Sequence, residues 1–181
     1  MRVFFYKSSM VFALLLLSFC QSASTPAVEM HHKAPEFTEK LANSWINSSP
    51  LSIKQLRGKV LLVNIFTYGC WNCYRSFPWI RDLEQRLSGK GLQLIGIHSP
   101  EFSHEKVRKN VIAKVKHFRL KFPVMIDNEF RYWGALGNNA WPSFYLVDKQ
   151  GNLRYKFVGE THKNTSRAKQ VERAIEALLK E

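Results

Sequence analysis

An α/β domain with a central mixed β-sheet flanked by helices is the fold class this sequence predicts, and three observations point to it. The run Val60-Leu61-Leu62-Val63-Asn64-Ile65-Phe66 is almost continuously apolar and rich in branched residues, the pattern of a strand buried on both faces. A helix-like stretch and a second apolar strand at 92–97 follow, a β-α-β unit whose strands run parallel with a right-handed crossover. Two further strand patterns, 143–147 and 153–158, flank Lys149-Gln150-Gly151-Asn152 and read as an antiparallel hairpin. Parallel and antiparallel pairs together make the sheet mixed.

In chain order, residues 1–24 read as a secretion signal. Arg2 and Lys7 supply positive charge, residues 11–19 an apolar core, and residues 20–27 small and polar side chains. That core is short for a transmembrane helix. Cleavage near Ser24 leaves Cys70 and Cys73 as the only cysteines of three, one redox pair without a spare thiol, which suits an oxidising compartment. Two alternatives stay open here. Leu17-Ser18-Phe19-Cys20 partly resembles the bacterial lipoprotein box, in which case the signal ends before Cys20 and Cys20 carries lipid; or the segment stays on as an uncleaved anchor. Residues 25–34 are polar and aperiodic, contain His31-His32, and read as a linker, with the histidine pair taken as solvated rather than metal-binding. Residues 35–181 then form a single domain, about the length at which one core is well supported.

Within that domain a short strand at 44–47 and a turn at 52–58 precede the central strand, whose one polar intruder is Asn64. The helix at 71–87 carries Phe77, Ile80, Leu83, Glu84 and Leu87 at helical spacing, with Pro78 expected to kink it and Gly89 and Gly91 ending it. After the strand at 92–97, a helix at 104–118 presents Val107, Val111, Val115 and Phe118 as its inner stripe. A short strand at 122–126, a short helix at 129–136 and the hairpin lead to a closing helix with Val171, Ala174, Ile175, Leu178 and Leu179 on one face.

The chain has 27 Lys and Arg against 14 Asp and Glu, a formal net charge of +13. Such a surface attracts acidic partners. No nucleic-acid motif is present and a secretion signal leads away from the cytosol, so nucleic acid is set aside; an anionic membrane surface, acidic protein substrates or a merely solvated basic face remain.

The chemistry is concentrated in Cys70-Trp71-Asn72-Cys73, which sits between the central strand and the helix. A thiolate in the first turn of a helix feels unpaired backbone N–H groups and the positive end of the dipole, so its pKa falls and it becomes reactive. Cys70 is expected to be that attacking sulfur. Cys73, one turn deeper, is expected to resolve a mixed disulfide by attacking the sulfur of Cys70. Structural zinc needs four ligands and there is no second cysteine pair; haem attachment needs histidine after the second cysteine, where this chain has Tyr74. A purely structural disulfide closing so short a loop gains little from constraining the unfolded chain. No metal and no organic cofactor is called for.

This order of elements, with Cys-x-x-Cys after a central strand and Trp141-Pro142 opening a later one, resembles the thioredoxin-like fold over residues 35–181. Ala34-Pro35-Glu36-Phe37, Leu56-Arg57-Gly58-Lys59-Val60, Phe66-Thr67-Tyr68, Asn72-Cys73, Ile97-His98-Ser99-Pro100-Glu101-Phe102 and Trp141-Pro142 look most like exported TlpA-like proteins and the thioredoxin-like domain of DipZ-type cytochrome c biogenesis proteins. The resemblance makes Pro142 the cis-proline facing the redox pair. It makes Trp141 part of a ledge where a substrate strand docks, with Trp71 and Asn72 beside it. Pro78 corresponds to the helix-kinking proline, and Asn64 stands where cytosolic thioredoxins carry a buried aspartate. Many TlpA-like reductants place a glutamate six residues after the first cysteine for proton handling, and this chain has Ser76 there; Glu101 is the candidate substitute, against a plain exposed carboxylate. His98 either lines the site or packs, and Trp79 and Trp133 read as core aromatics.

The resemblance implies an exported thiol-disulfide oxidoreductase that reduces disulfide-containing proteins of the periplasm or cell envelope. It also implies proximity to the membrane and electrons from a membrane donor of the DsbD or CcdA type. The rival readings are a disulfide oxidase or isomerase on the same fold, a peroxide-reducing redoxin, and a non-enzymatic peptide-binding module. The peroxidase pattern, proline and threonine upstream of a lone cysteine, is absent around Cys70.

Overall fold

The computed structural model describes residues 27–181. The secretion-signal and Cys20 lipidation readings fall on residues outside that range. Eleven regular elements follow one another: β1 (Val28–Lys33), β2 (Trp45–Ile46), β3 (Val60–Phe66), α1 (Trp71–Leu87), β4 (Leu92–His98), α2 (Arg108–His117), β5 (Val124–Ile126), α3 (Arg131–Ala135), β6 (Ser143–Val147), β7 (Asn152–Val158) and α4 (Ser166–Lys180). The strands form one sheet in the order β1-β7-β6-β3-β4-β5-β2.

Its centre is parallel and its flanks antiparallel. β3 pairs with β4 in parallel from Val60 opposite Leu92 to Phe66 opposite His98, and β4 with β5 likewise. β3 pairs antiparallel with β6, and β6 with β7. The mixed sheet expected from the sequence is the one observed. Side-chain alternation along β3 divides the core. Val60, Leu62 and Phe66 join Phe77, Ile80 and Leu83 of α1, Val111 and Val115 of α2, and Val171 and Ile175 of α4. Leu61, Val63 and Ile65 point the other way, into a cluster with Phe37, Trp45 and Tyr132. Every residue of β3 is buried, which is why its sequence reads as an unbroken apolar run.

The structure corrects two local expectations. Part of the stretch read as a linker, 25–34, forms β1, which adds to the sheet edge against β7 with Val28 opposite Lys156 and Lys33 opposite Asn152. Five of its six residues are exposed, so no apolar alternation marks it in the sequence. The single helix expected over 104–118 is broken: a 3-10 turn, Ser103–Lys106, is followed by α2 only after Val107, which is extended and exposed rather than part of an inner stripe. Val111, Val115 and Phe118 are buried as expected. Pro78 lies inside α1, which continues past it to Leu87.

The register places the site. Ile65 of β3 faces Ser143 of β6, so the turn that leaves β3 and the Trp141-Pro142 pair that enters β6 meet at the same end of the sheet. β4 ends there too, since Phe66 pairs with His98. Among the described residues no helix is long and apolar enough to cross a membrane.

Candidate redox site

Cys70 caps α1 and Cys73 lies in its first turn. The backbone N–H of Cys73 donates to the Cys70 sulfur across 3.3 Å. Both are free thiols; Cys70 is partly exposed and Cys73 is 1% exposed. Their acidities are driven apart. The side-chain contact with Cys73 lowers the Cys70 pKa, burial opposes it, the amides of Cys73 and Asn72 lower it further, and the charge of Glu101 raises it; the balance is about 7. Burial pushes the Cys73 thiol far above the ordinary range, helped by the contact with Cys70 and the charges of Cys70 and Glu101. One sulfur is thus accessible and partly ionised near neutral pH while the other stays protonated and enclosed, the division that thiol-disulfide exchange through a mixed disulfide requires.

The turn from β3 into α1 is held from behind. His98 at the end of β4 is fully buried, with Nε2 3.4 Å from both the Thr67 hydroxyl and the Tyr68 amide, and the Tyr68 ring stacks on it at 5.5 Å. Burial drives the His98 pKa down to about 4 against the pull of Glu105, so the imidazole is neutral. Glu105, of the 3-10 turn, is 0% exposed. Its Oε1 accepts from the Gly69 amide at 2.7 Å, and its Oε2 from the amides of Glu101 at 2.6 Å and Phe102 at 3.0 Å. Burial raises its pKa, but the Thr67 hydroxyl and these three amides outweigh it, and the net shift is downward. Glu101 itself is exposed; its charge reaches both cysteines, yet among the described residues no hydrogen bond joins its carboxylate to either sulfur.

Ser76 is buried within α1. Its hydroxyl donates to the Asn72 carbonyl at 2.9 Å and accepts from the Thr161 amide at 3.0 Å, tying α1 to the segment after β7. It therefore fastens the helix, and no carboxylate stands at that position.

The Trp141-Pro142 peptide is cis. Pro142 is buried and its carbonyl accepts from Gly159 at 2.8 Å. The half-buried Trp141 indole donates to the Ser99 carbonyl at 3.0 Å and packs on Trp133 with ring centroids 4.4 Å apart. The Ser99 hydroxyl in turn donates to Asp127, whose carboxylate accepts from the amides of Tyr132 and Trp133. Across the site Trp71 is 65% exposed and lies 5.3 Å from the Tyr74 ring, with Asn72 exposed next to it. Trp71, Asn72, Trp141 and Pro142 thus border one end of the sheet together with the thiol pair. His98 and Trp79 are packed core residues, Trp79 donating to Glu172 at 2.9 Å. Among the described residues no group of His, Cys, Asp and Glu is placed to hold a metal ion.

The Redoxin family model matches residues 16–175. The chain belongs to the Redoxin family. The thioredoxin-like domain expected from the sequence is supported by a solved structure, the thioredoxin-like superfamily protein SPOA0173, which superposes with a TM-score of 0.73 at 27% identity over 83% of this chain and 97% of that one. Protein DipZ of Mycobacterium tuberculosis is 35% identical over 125 residues, 67% of this chain and 18% of DipZ. Thiol-disulfide oxidoreductase ResA of Bacillus cereus is 30% identical over 118 residues, 65% of each chain. This redoxin therefore spans about a fifth of the length of DipZ. Family, fold and a Cys-x-x-Cys thiol pair together place it among the thioredoxin-like redoxins.

Two residues of this redoxin site escape a reading of the sequence alone. Glu105 sits where an acidic residue at the start of an amphipathic helix normally faces water, and only the fold brings it to Gly69. Ser99 is one more small polar residue in a loop until its carbonyl is seen under Trp141. The buried carboxylate of the loop is Glu105, while the sequence singles out Glu101, four residues earlier.

Proposed function

We propose that this redoxin is an exported reductant of protein disulfides in the cell envelope, with Cys70 as nucleophile and Cys73 as resolving thiol. The observation that carries the reading is the contrast between an accessible Cys70 thiol with a pKa of about 7 and a fully buried Cys73 held protonated beside it. The Cys70 thiolate attacks one sulfur of the substrate disulfide, that S–S bond breaks, and the departing substrate thiolate takes up a proton. Cys73 gives up its proton and attacks the Cys70 sulfur, releasing the second substrate thiol. Two electrons pass to the substrate and a Cys70–Cys73 disulfide remains, to be reduced by a membrane donor of the DsbD or CcdA type. Trp141, Pro142, Trp71 and Asn72 form the ledge that receives the substrate strand, and the exposed Glu101 is the carboxylate nearest in charge to both sulfurs for proton transfer. The apolar segment within residues 1–24 supports export to the periplasm or envelope, with lipid at Cys20 as the alternative form of attachment.

A Cys73→Ala variant should accumulate covalent adducts with disulfide-containing envelope proteins through Cys70, released by dithiothreitol. Absence of adducts in a strain that expresses folded variant would overturn the reading. Equilibration with glutathione fixes the direction: a potential near about −120 mV, that of a strong oxidant, would establish the oxidase reading instead. A Cys70→Ala, Cys73→Ala double variant that keeps full cellular activity would establish the peptide-binding module.

A further inference from the structure

A glutamate at the third position of a helical turn commonly returns to the amide that opens the turn, and that capping box needs one carboxylate oxygen. In Glu105 it occupies Oε2, which takes the amides of Glu101 and Phe102. The other oxygen leaves the turn altogether. Oε1 accepts from Gly69, 36 residues earlier in the chain, at 2.7 Å, the shortest class of charge-assisted amide contact. Gly69 is the residue immediately before Cys70, and a Cβ placed on it would collide with that same oxygen. The contact as it stands therefore uses the open space left by glycine at 69.

The other end of the same loop meets the ledge. The Ser99 carbonyl accepts the Trp141 indole, and the Ser99 hydroxyl reaches Asp127, which fixes the start of α3. The 99–105 loop thus stands between the turn that carries the nucleophile and the side chain that borders the substrate ledge. We propose that Glu105 is a positioning residue that pins the turn before Cys70 to this loop, holding the Cys70 sulfur on the first turn of α1 and in fixed relation to Trp141. Glu105 acts through Gly69 and does not touch the reacting sulfur. The proposal rests on Cys70 being the attacking thiol, and its test needs no physiological substrate.

Charge and position act on Cys70 with opposite signs, and this separates a pin from a bystander. A carboxylate near a thiol raises its pKa, as Glu101 does for Cys70, so deleting a charge by itself lowers the value. Releasing the turn removes the alignment of the Cys70 sulfur with the amides of Cys73 and Asn72 and so raises it. The charges that bear on this corner are Glu101 on Cys70 and Cys73, Cys70 on Cys73, and Glu105 on His98 and Tyr68.

The test is the pH dependence of Cys70 alkylation by iodoacetamide in the reduced full chain, read at that residue by mass spectrometry. In Glu105→Gln one acceptor oxygen remains for amides at both ends, so whichever way the carboxamide turns an NH2 faces a backbone N–H and the bridge between turn and loop opens. The midpoint should rise by half a unit or more, with about half the thiolate at pH 7 and a matching loss in the rate with a small aromatic disulfide. Glu101→Gln should move the midpoint down. A folded Glu105→Gln protein whose midpoint stays or falls would overturn the proposal, whatever its melting temperature does. Should that variant fail to fold, Gly69→Ala opens the same contact from the other side and must show the same rise, and an unchanged midpoint there overturns the proposal equally. A rise in the midpoint together with no trapped partners in Cys73→Ala would leave the pin standing and remove only the envelope reductant.

Discussion

The amide of Cys73 points at the sulfur of Cys70 from 3.3 Å, so the backbone of the buried thiol stabilises the charge on the exposed one. The two residues also titrate in opposite directions, which gives the reduced protein a stability that depends on pH in two windows. Cys70 has its pKa lowered to about 7 in the fold; its contribution is complete above the unfolded thiol value of about 8.5 and is lost as pH falls through 7. Cys73 is raised; its neutral form is the folded one, and its contribution is complete below about 8.5 and is lost as pH climbs beyond it. Relative to a Cys70→Ala, Cys73→Ala variant, the urea midpoint of the reduced protein should rise from pH 6 to about 8.5 and fall above 9. A flat difference between the two proteins would contradict the split.

That split was readable from the spacing of the cysteines, because a strand that ends in a helix N-terminus dictates what the first and fourth residues feel. β3 and α1 are equally legible, since burial writes an apolar run into one and helical spacing into Phe77, Ile80 and Leu83 of the other. β1 is not, because an edge strand with both faces wet carries no periodicity, and its partner β7 lies more than a hundred residues away in the chain. The break at Val107 is hidden for a related reason: a 3-10 turn and a helix share the same residues, and the valine spacing alone does not show that one of them is extended and exposed. Glu105 is legible only as a capping acid; its bond to Gly69 is a fact of tertiary structure.

Ser76 tests whether this helix could accept the glutamate that the resemblance to TlpA-like reductants leads one to expect there. Its hydroxyl satisfies the buried Thr161 amide, so Ser76→Ala should cost roughly 1–3 kcal/mol in urea unfolding by leaving that amide unpaired. Ser76→Glu should cost more, because it must also bury a carboxylate in a packed helix face. An unfolding free energy within error of wild type for Ser76→Ala would show that water replaces the hydroxyl.

Trp141 contributes one hydrogen bond to stability and, in the proposed function, surface to docking. Trp141→Phe keeps the contact with Trp133 but leaves the Ser99 carbonyl without its indole donor, for about 1 kcal/mol of stability. Trp141→Ala removes the ledge as well. It should raise KM for a protein disulfide severalfold while the alkylation midpoint of Cys70 stays near 7. Equal loss toward a protein disulfide and a small aromatic disulfide would assign Trp141 to the fold alone.

Asn64 is the polar residue in a strand that is otherwise a hydrocarbon wall. It is 1% exposed, and neither its side-chain oxygen nor its nitrogen has a hydrogen-bond partner among the described residues. Alternation along β3 puts it on the face shared by Leu62 and Phe66, beneath α1. An amide buried without partners costs roughly 1–3 kcal/mol, whereas a leucine of similar size there recovers burial free energy. Asn64→Leu should therefore raise the urea midpoint of the oxidised and reduced protein alike. A lowered midpoint would contradict this and point to an internal water that satisfies the amide.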